Sequence, residues 1–310
     1  MPPKLFEAVP NFSEGCDERK IERIVAAVRA VEGVRVLDLH SDCDHNRSVL
    51  TFAGERDAVL EAAVALARAC AREIDLASQT GEHPRIGSLD VLPFVPLEGA
   101  TLEDAAGLAR LAGESIGSVG FPVYLYEAAA TAPHRRNLAD VRRGGYEGLF
   151  ARLGDPLWQP DYGPPELDPR RGAVAVGARS FLVAFNAYLD TRDVSVARAI
   201  ARKVRESDGG VPGLKALGLE VGGRAQVSMN LTNLDVTPIP IALEAVRTAA
   251  AEHGASVDST ELVGLAPLEA ILQVARHYLS LRELEEKHVV ETALWHAPSS
   301  RDTHEARRPR

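Results

Sequence analysis

The chain has 310 residues, 45% of them apolar and 25% charged, the proportions of a globular protein with room for two domains of ordinary size. A net charge of −9 argues against a nucleic-acid partner, and no run approaches the ~20 apolar residues of a membrane span. The three cysteines, Cys16, Cys43 and Cys70, are scattered and odd in number, which speaks against a disulfide framework; with no secretory pattern at the N-terminus, a cytoplasmic protein is expected.

Residues 5–9 read as a first strand, closed by Pro10-Asn11. Asp17 is a candidate N-cap, and Ile21, Ile24, Val25, Val28 and Val31 recur with the 3.6-residue period of an amphipathic helix that stops at Gly33. Residues 34–39 and 48–53 form a hairpin across a polar turn, an alanine- and leucine-rich helix covers 56–72, and 89–95 is a buried strand. The order β-α-β-β-α-β is that of a ferredoxin-like split βαβ. A helix over 102–116, capped by Thr101, and a strand at 123–126 extend it. Between 134 and 172 proline, glycine and arginine dominate, which predicts an interdomain connection and no core element. The order then repeats: strand 181–189, helix 194–204, hairpin 214–221 and 225–231 through Gly222-Gly223-Arg224, helix 241–253 and strand 257–263. A helix at 267–278 follows. The fold class expected is α+β, two ferredoxin-like subdomains over 1–178 and 179–295 with a polar tail over 296–310.

Chemistry concentrates in the loop Gln79-Thr80-Gly81-Glu82-His83-Pro84-Arg85-Ile86-Gly87, directly before strand 89–95. Its glycines and proline restrain the backbone, and His83, with an ordinary pKa of about 6.5, is suited to give and take protons near neutrality. Glu82 either orients the imidazole or is solvated, and Arg85 can meet an anionic substrate. The hairpin turn His40-Ser41-Asp42-Cys43-Asp44-His45-Asn46-Arg47 invites a metal reading but has none of the usual ligand spacings, so no metal is expected. Asp38, His40, Asn46 and Arg47 are instead expected to face the same cleft as His83. Around 161–179, Tyr162, Gly163, Pro164 and Gly172 could wall a flat heterocycle, with Arg170, Arg171 and Arg179 answering carboxylates; a surface linker with solvated arginines is the other reading. Gln226, Ser228, Asn230 and Thr232 share one strand face, which either meets water or lines a ligand cleft. Dinucleotide and P-loop patterns are absent from the sequence, and no serine elbow at a strand-to-helix turn is expected.

Several stretches in chain order resemble the formiminotransferase domain family. They are Val9-Pro10-Asn11-Phe12-Ser13-Glu14-Gly15, Asp44-His45-Asn46-Arg47-Ser48, Thr80-Gly81-Glu82-His83-Pro84-Arg85-Ile86-Gly87, Val123-Tyr124-Leu125-Tyr126, Gly177-Ala178-Arg179-Ser180-Phe181-Leu182-Val183-Ala184-Phe185-Asn186, Ala225-Gln226-Val227-Ser228-Met229-Asn230 and Glu261-Leu262-Val263-Gly264-Leu265. The resemblance implies transfer of a formimidoyl group between N-formimidoyl-L-glutamate and tetrahydrofolate, a step of histidine breakdown, with tetrahydrofolate as co-substrate. It implies His83 as the acid/base, folate in a cleft between the two α/β subdomains with 163–172 contributing, and a homodimer. The cyclodeaminase step of bifunctional relatives would then fall to a separate protein. His40 stands where some relatives carry an aspartate, and 165–171 departs from the expected folate segment. The expected substrate and folate contacts are Asp38, His40, Asn46, Arg47, Glu82, Arg85, Tyr162, Gly163, Pro164, Gly172, Arg179, Gln226, Ser228 and Asn230. Arg47, Arg85 and Arg179 are the candidates for the glutamate carboxylates. Two alternatives stay open: formyl transfer between 5-formyltetrahydrofolate and glutamate, giving N-formylglutamate, and a non-catalytic folate-binding protein.

Overall fold

In the first unit, residues 1–180, strands and helices alternate around one mixed sheet. The computed structural model describes residues 3–43, 45–79 and 85–296. The elements are β1 (Leu5–Ala8), β2 (Asn11–Phe12), α1 (Glu18–Arg29), β3 (Val34–Asp42), β4 (Arg47–Glu55), α2 (Arg56–Glu73), β5 (Leu89–Pro96), α3 (Leu102–Val119), β6 (Val123–Glu127), α4 (Leu138–Val141), α5 (Gly145–Arg152) and β7 (Val174–Ala178). β1 and β2, broken at Pro10, fill one lane between β4 and β5, and β3 lies outside β4. Beyond β5, β7 and β6 continue the sheet in parallel.

Helices α1, α2 and α3 bury one sheet face. Ile21, Ile24, Val25 and Val28 recur on a single side of α1, so that stripe packs inward with Phe6, Phe12, Phe52 and Phe94. Truncating one of these phenylalanines to alanine would cost about 3–5 kcal/mol. Asp17 caps α1 by accepting the Arg19 and Lys20 N–H groups, and Thr101 forms a capping box with Asp104 at the start of α3. Both caps stand where the side chains predict them.

The stretch 134–172 is not a linker. It forms α4 and α5 and covers the opposite face of the β5-β7-β6 end, where Val91, Tyr124, Tyr126, Val141, Leu149 and Ala175 make a second, smaller core. Part of its polar composition pairs within the stretch. The buried Arg135 guanidinium donates to Asp161 Oδ2 at 2.6 Å and to the Gln159 carbonyl at 2.6 Å, and it lies 5.3 Å from the Tyr124 ring centroid. Strand β7 is equally unforeseen. Its small residues let it thread between β5 and β6, and a Cβ on Gly177 would lie 2.6 Å from the Tyr126 ring.

Cys16 and Cys43 correct a further expectation. They form a disulfide across 27 residues, with Cα atoms 4.6 Å apart, because the segment after β2 packs on the β3–β4 turn. Cys70 is buried and free. Closing a loop of this length stabilises by about 3–4 kcal/mol on chain-entropy grounds. Dithiothreitol added to the wild type, or a Cys43→Ser change, is therefore expected to lower the urea midpoint. Adding reductant to the variant should change nothing further.

The second unit, residues 181–310, contains β8 (Val183–Leu189), α6 (Val194–Val204), β9 (Leu214–Val221), β10 (Arg224–Leu231), α7 (Ile239–Glu252), β11 (Val257–Val263), α8 (Leu268–Leu279) and α9 (Val290–His296). Its sheet is antiparallel in the order β11-β8-β10-β9. Alternation along β8 and β10 sends Val183, Phe185, Ala187, Val227, Met229 and Leu231 into a core with α6 and α7. The molecule is thus α+β with two sheets.

Candidate functional site

Strand register decides which side chains of the first unit share a face. Directly opposed residues of antiparallel strands point the same way. Asp38 opposes Thr51, His40 opposes Val49, Asp42 opposes Arg47, Asn11 opposes Val49 and Val91, and Glu7 opposes Ala53 and Val95. Phe12, Leu50 and Phe52 belong to the helix-covered face. The other face therefore carries Glu7, Asn11, Asp38, His40, Arg47 and Thr51, a polar row on a sheet whose reverse is apolar. Asn46, immediately before β4, takes a left-handed φ of 47°.

At one end of this row a small cavity is lined by Phe12, Ser13, His45, Asn46, Arg47, Arg85 and Asp90. Burial pushes the Arg47 guanidinium down to about 10, Arg142 adds to the shift, and Asp90 and Asp42 oppose it. Arg47 therefore keeps its charge at neutral pH. Asp90, 2% exposed, accepts the Ile86 N–H at 2.8 Å through Oδ1 and pairs with Arg142 through Oδ2. Arg47 thus lies between the charges of Arg142, Asp90 and Asp42, while Arg85 shares the cavity lining and has Glu147 at 3.7 Å. The two guanidinium groups on the cavity lining, of Arg47 and Arg85, suit an anionic ligand.

The chain enters the Gly-Glu-His-Pro-Arg loop at Gln79 and leaves it at Arg85; Glu82 and His83, and likewise Asp44 of the hairpin turn, lie outside the described residues. Arg85 donates to the Gln79 carbonyl at 2.7 Å, approaches Glu147 at 3.7 Å and lies 5.9 Å from the Tyr146 ring centroid. Beyond it the backbone is held tightly. Ala173 N–H donates to the Ile86 carbonyl at 2.8 Å, Ser13 Oγ donates to the Gly87 carbonyl at 2.8 Å, and Ser88 N–H donates to the Arg171 carbonyl at 2.7 Å. Gly172, at φ 69°, could not carry a side chain, because a Cβ there would lie 2.2 Å from the Ile86 carbonyl oxygen.

The remaining expected residues belong to other elements. Tyr162 and Gly163 pack against α3: a Cβ on Gly117 would lie 2.7 Å from Gly163 N and 2.9 Å from Tyr162 Cβ. Pro164 follows them. Arg179 continues from β7, its N–H donating to the Phe94 carbonyl at 3.0 Å, and its charge opposes the effect of burial on Glu7. In the second unit Gln226 opposes Tyr188, Ser228 opposes Asn186 and Asn230 opposes Ala184. Tyr188 and Asn186 both donate to Glu261 Oε2, at 3.1 and 3.2 Å, giving that sheet its own polar face.

Sequence reasoning passed over Glu7, Glu14, Gln79, Asp90 and Arg142. Two of them carried a signal: Glu7 stands between Phe6 and Ala8, and Asp90 interrupts the apolar run 89–95, both charges inside strands. Glu7 is 8% exposed, and burial raises its pKa above the usual carboxylate range, with Arg179 opposing. A raised folded pKa favours the protonated form. The carboxylate therefore costs stability as pH climbs through and beyond the unfolded value. Glu7→Gln is expected to be more stable than wild type in urea at pH 7, with the gain fading as both approach pH 3. A gain that persists unchanged at pH 3 would contradict this.

The profile of the formiminotransferase domain, N-terminal subdomain, matches residues 5–179, and that of the formiminotransferase domain matches 184–297. The chain is 40% identical over 295 residues to a glutamate formimidoyltransferase of Streptococcus pyogenes serotype M1, covering 94% of this chain and 99% of that protein. It is 42% identical over 292 residues to a glutamate formimidoyltransferase of Thermoplasma acidophilum, covering 93% and 96%. A formimidoyltransferase-cyclodeaminase of Dictyostelium discoideum is 40% identical over 291 residues, 91% of this chain and 54% of that protein. Matched along nearly its whole length by the two subdomain profiles, the chain belongs to the formiminotransferase domain family.

Proposed function

We propose that this protein transfers the formimidoyl group between N-formimidoyl-L-glutamate and tetrahydrofolate, as a one-carbon transferase of histidine breakdown. The observation that carries the reading is similarity along almost its whole length to proteins named for that activity. The cation-rich cavity supports it, since the glutamate moiety brings two carboxylates. In this reading Arg47 and Arg85 receive those carboxylates, with Asn46 beside them, and Asp38 and His40 line the polar face. Gln226, Ser228, Asn230, Arg179 and the segment from Tyr162 to Gly172 are assigned to folate. Each unit is read as ferredoxin-like, and the cleft, the homodimer and the cytoplasmic location implied by the resemblance belong to the same proposal.

The folate secondary amine attacks the formimidoyl carbon and gives a tetrahedral adduct. His83 takes the proton from the attacking nitrogen and returns it to the glutamate nitrogen, whose bond to carbon then breaks. Such proton transfer contributes roughly 10²–10⁴ in rate, and holding the two substrates together supplies much of the rest. The test compares donors: purified protein with tetrahydrofolate and either N-formimidoyl-glutamate or N-formylglutamate. A kcat/KM at least about 100-fold higher for the formimidoyl donor is expected. Preference for the formyl donor would overturn the substrate assignment. Folate binding with neither donor reacting would overturn the enzyme assignment.

A further inference from the structure

Glu14 is a buried carboxylate, 3% exposed, whose partners come from the segment that follows it and from Gln79. Its Oε1 accepts the Cys16 and Asp17 N–H groups at 3.1 and 3.0 Å, and its Oε2 accepts Lys20 Nζ at 3.2 Å and Gln79 Nε2 at 3.1 Å. The Gln79 Oε1 then accepts Asn46 Nδ2 at 2.8 Å, and Asn46 Oδ1 accepts the Gly15 N–H at 3.0 Å. These bonds are directional. A carboxylate only accepts, so Gln79 must turn its amide NH₂ toward Glu14 and its oxygen toward Asn46. Asn46 must in turn offer its NH₂ to Gln79 and its oxygen to Gly15. One charge therefore sets the orientation of two amides in series. The main-chain carbonyl of Gln79, separately from its side chain, receives the Arg85 guanidinium.

We propose that Gln79, its side chain oriented by Glu14, is the positioning residue of the anion cavity, holding Asn46 through its amide and Arg85 through its main-chain carbonyl so that they meet the donor's carboxylates. The assignment rests on the transfer reading above and deepens it, since nothing in the family resemblance singled out Glu14 or Gln79. Neither residue touches substrate in this account; both act through Asn46 and Arg85.

The chemistry supplies its own test. In Glu14→Gln the new NH₂ faces the Gln79 NH₂, and flipping Gln79 only moves the donor–donor clash to Asn46 or Gly15. In Gln79→Glu two carboxylates face each other. The double swap Glu14→Gln/Gln79→Glu restores one donor against one acceptor along the relay, while Lys20, whose side chain is partly exposed, gives up Oε2 for solvent. The amide now at position 14 keeps its oxygen on Cys16 and Asp17 and donates to the carboxylate now at position 79, which still accepts from Asn46. Each single variant is expected to raise KM for N-formimidoyl-glutamate about tenfold or more, with KM for tetrahydrofolate within about twofold of wild type, and the double swap to return within about threefold. A purely structural role would lower the thermal midpoint and move both KM values together. Gln79→Ala, which adds no like charges, guards against a misfolded single variant and should show the same KM split. A double swap as impaired as the worse single variant, or single variants that leave KM unchanged, would overturn the proposal. Should wild type transfer nothing, the transfer reading fails on its own. The relay is then read from equilibrium binding of N-formimidoyl-glutamate, weakened in each single variant, where lack of recovery in the double swap overturns it.

Discussion

His83→Ala is expected to bind tetrahydrofolate as wild type does and to lose roughly 10²–10⁴ of its transfer rate. The chemistry allows little else. One nitrogen must shed a proton as it attacks and the other must gain one as it leaves, and an imidazole near its own pKa does both without a second group. Binding should survive, because folate is assigned to Arg179, Gln226, Ser228, Asn230 and the segment from Tyr162 to Gly172, which alanine at position 83 leaves in place. Stopped-flow transfer and equilibrium folate binding, measured on the same preparations, separate the two effects. A rate within tenfold of wild type, or folate affinity lost in step with rate, would remove His83 from the acid/base role.

Asp90→Ala is expected to destabilise the protein by about 3–5 kcal/mol, the penalty for leaving one partner of a buried ion pair uncompensated. Asp90 holds Arg142 through one oxygen and the Ile86 N–H through the other, on the strand that follows the loop. Its charge also offsets the mutual repulsion of Arg47 and Arg142. Asp90→Asn keeps an acceptor for Ile86 and discards the charge, so its loss should be smaller. Urea unfolding of both variants measures the difference. Equal losses would assign the effect to the lost charge alone and give the backbone hydrogen bond no share, and a loss under about 1 kcal/mol would contradict the buried pair.

Local features were the most legible in the sequence. Asp17 and Thr101 cap helices because the cap is written within three residues of the helix it starts. The alternation of β3 and β4 likewise puts Asp38, His40 and Arg47 on one side of the sheet. Partners distant in sequence were not legible. Arg135 and Asp161 are 26 positions apart, and their pair turns a stretch that composition marks as a linker into a buried layer. Gln79 and Glu14 are 65 apart, so a glutamine at a loop edge and a glutamate in a turn look solvated until the fold joins them. Strand β7 escaped for a different reason: alanine, valine and glycine carry too weak a signal to mark a five-residue strand inserted in parallel. The cysteines misled because spacing says nothing about a hairpin turn folding back on the segment before α1.

Direct transfer between two bound substrates is the central claim, and initial velocities with tetrahydrofolate and N-formimidoyl-glutamate both varied test it most directly. The account predicts intersecting double-reciprocal lines and equal amounts of 5-formimidoyltetrahydrofolate and glutamate. Parallel lines, with glutamate released before folate is added, would mean that the group passes through the protein itself and would contradict it.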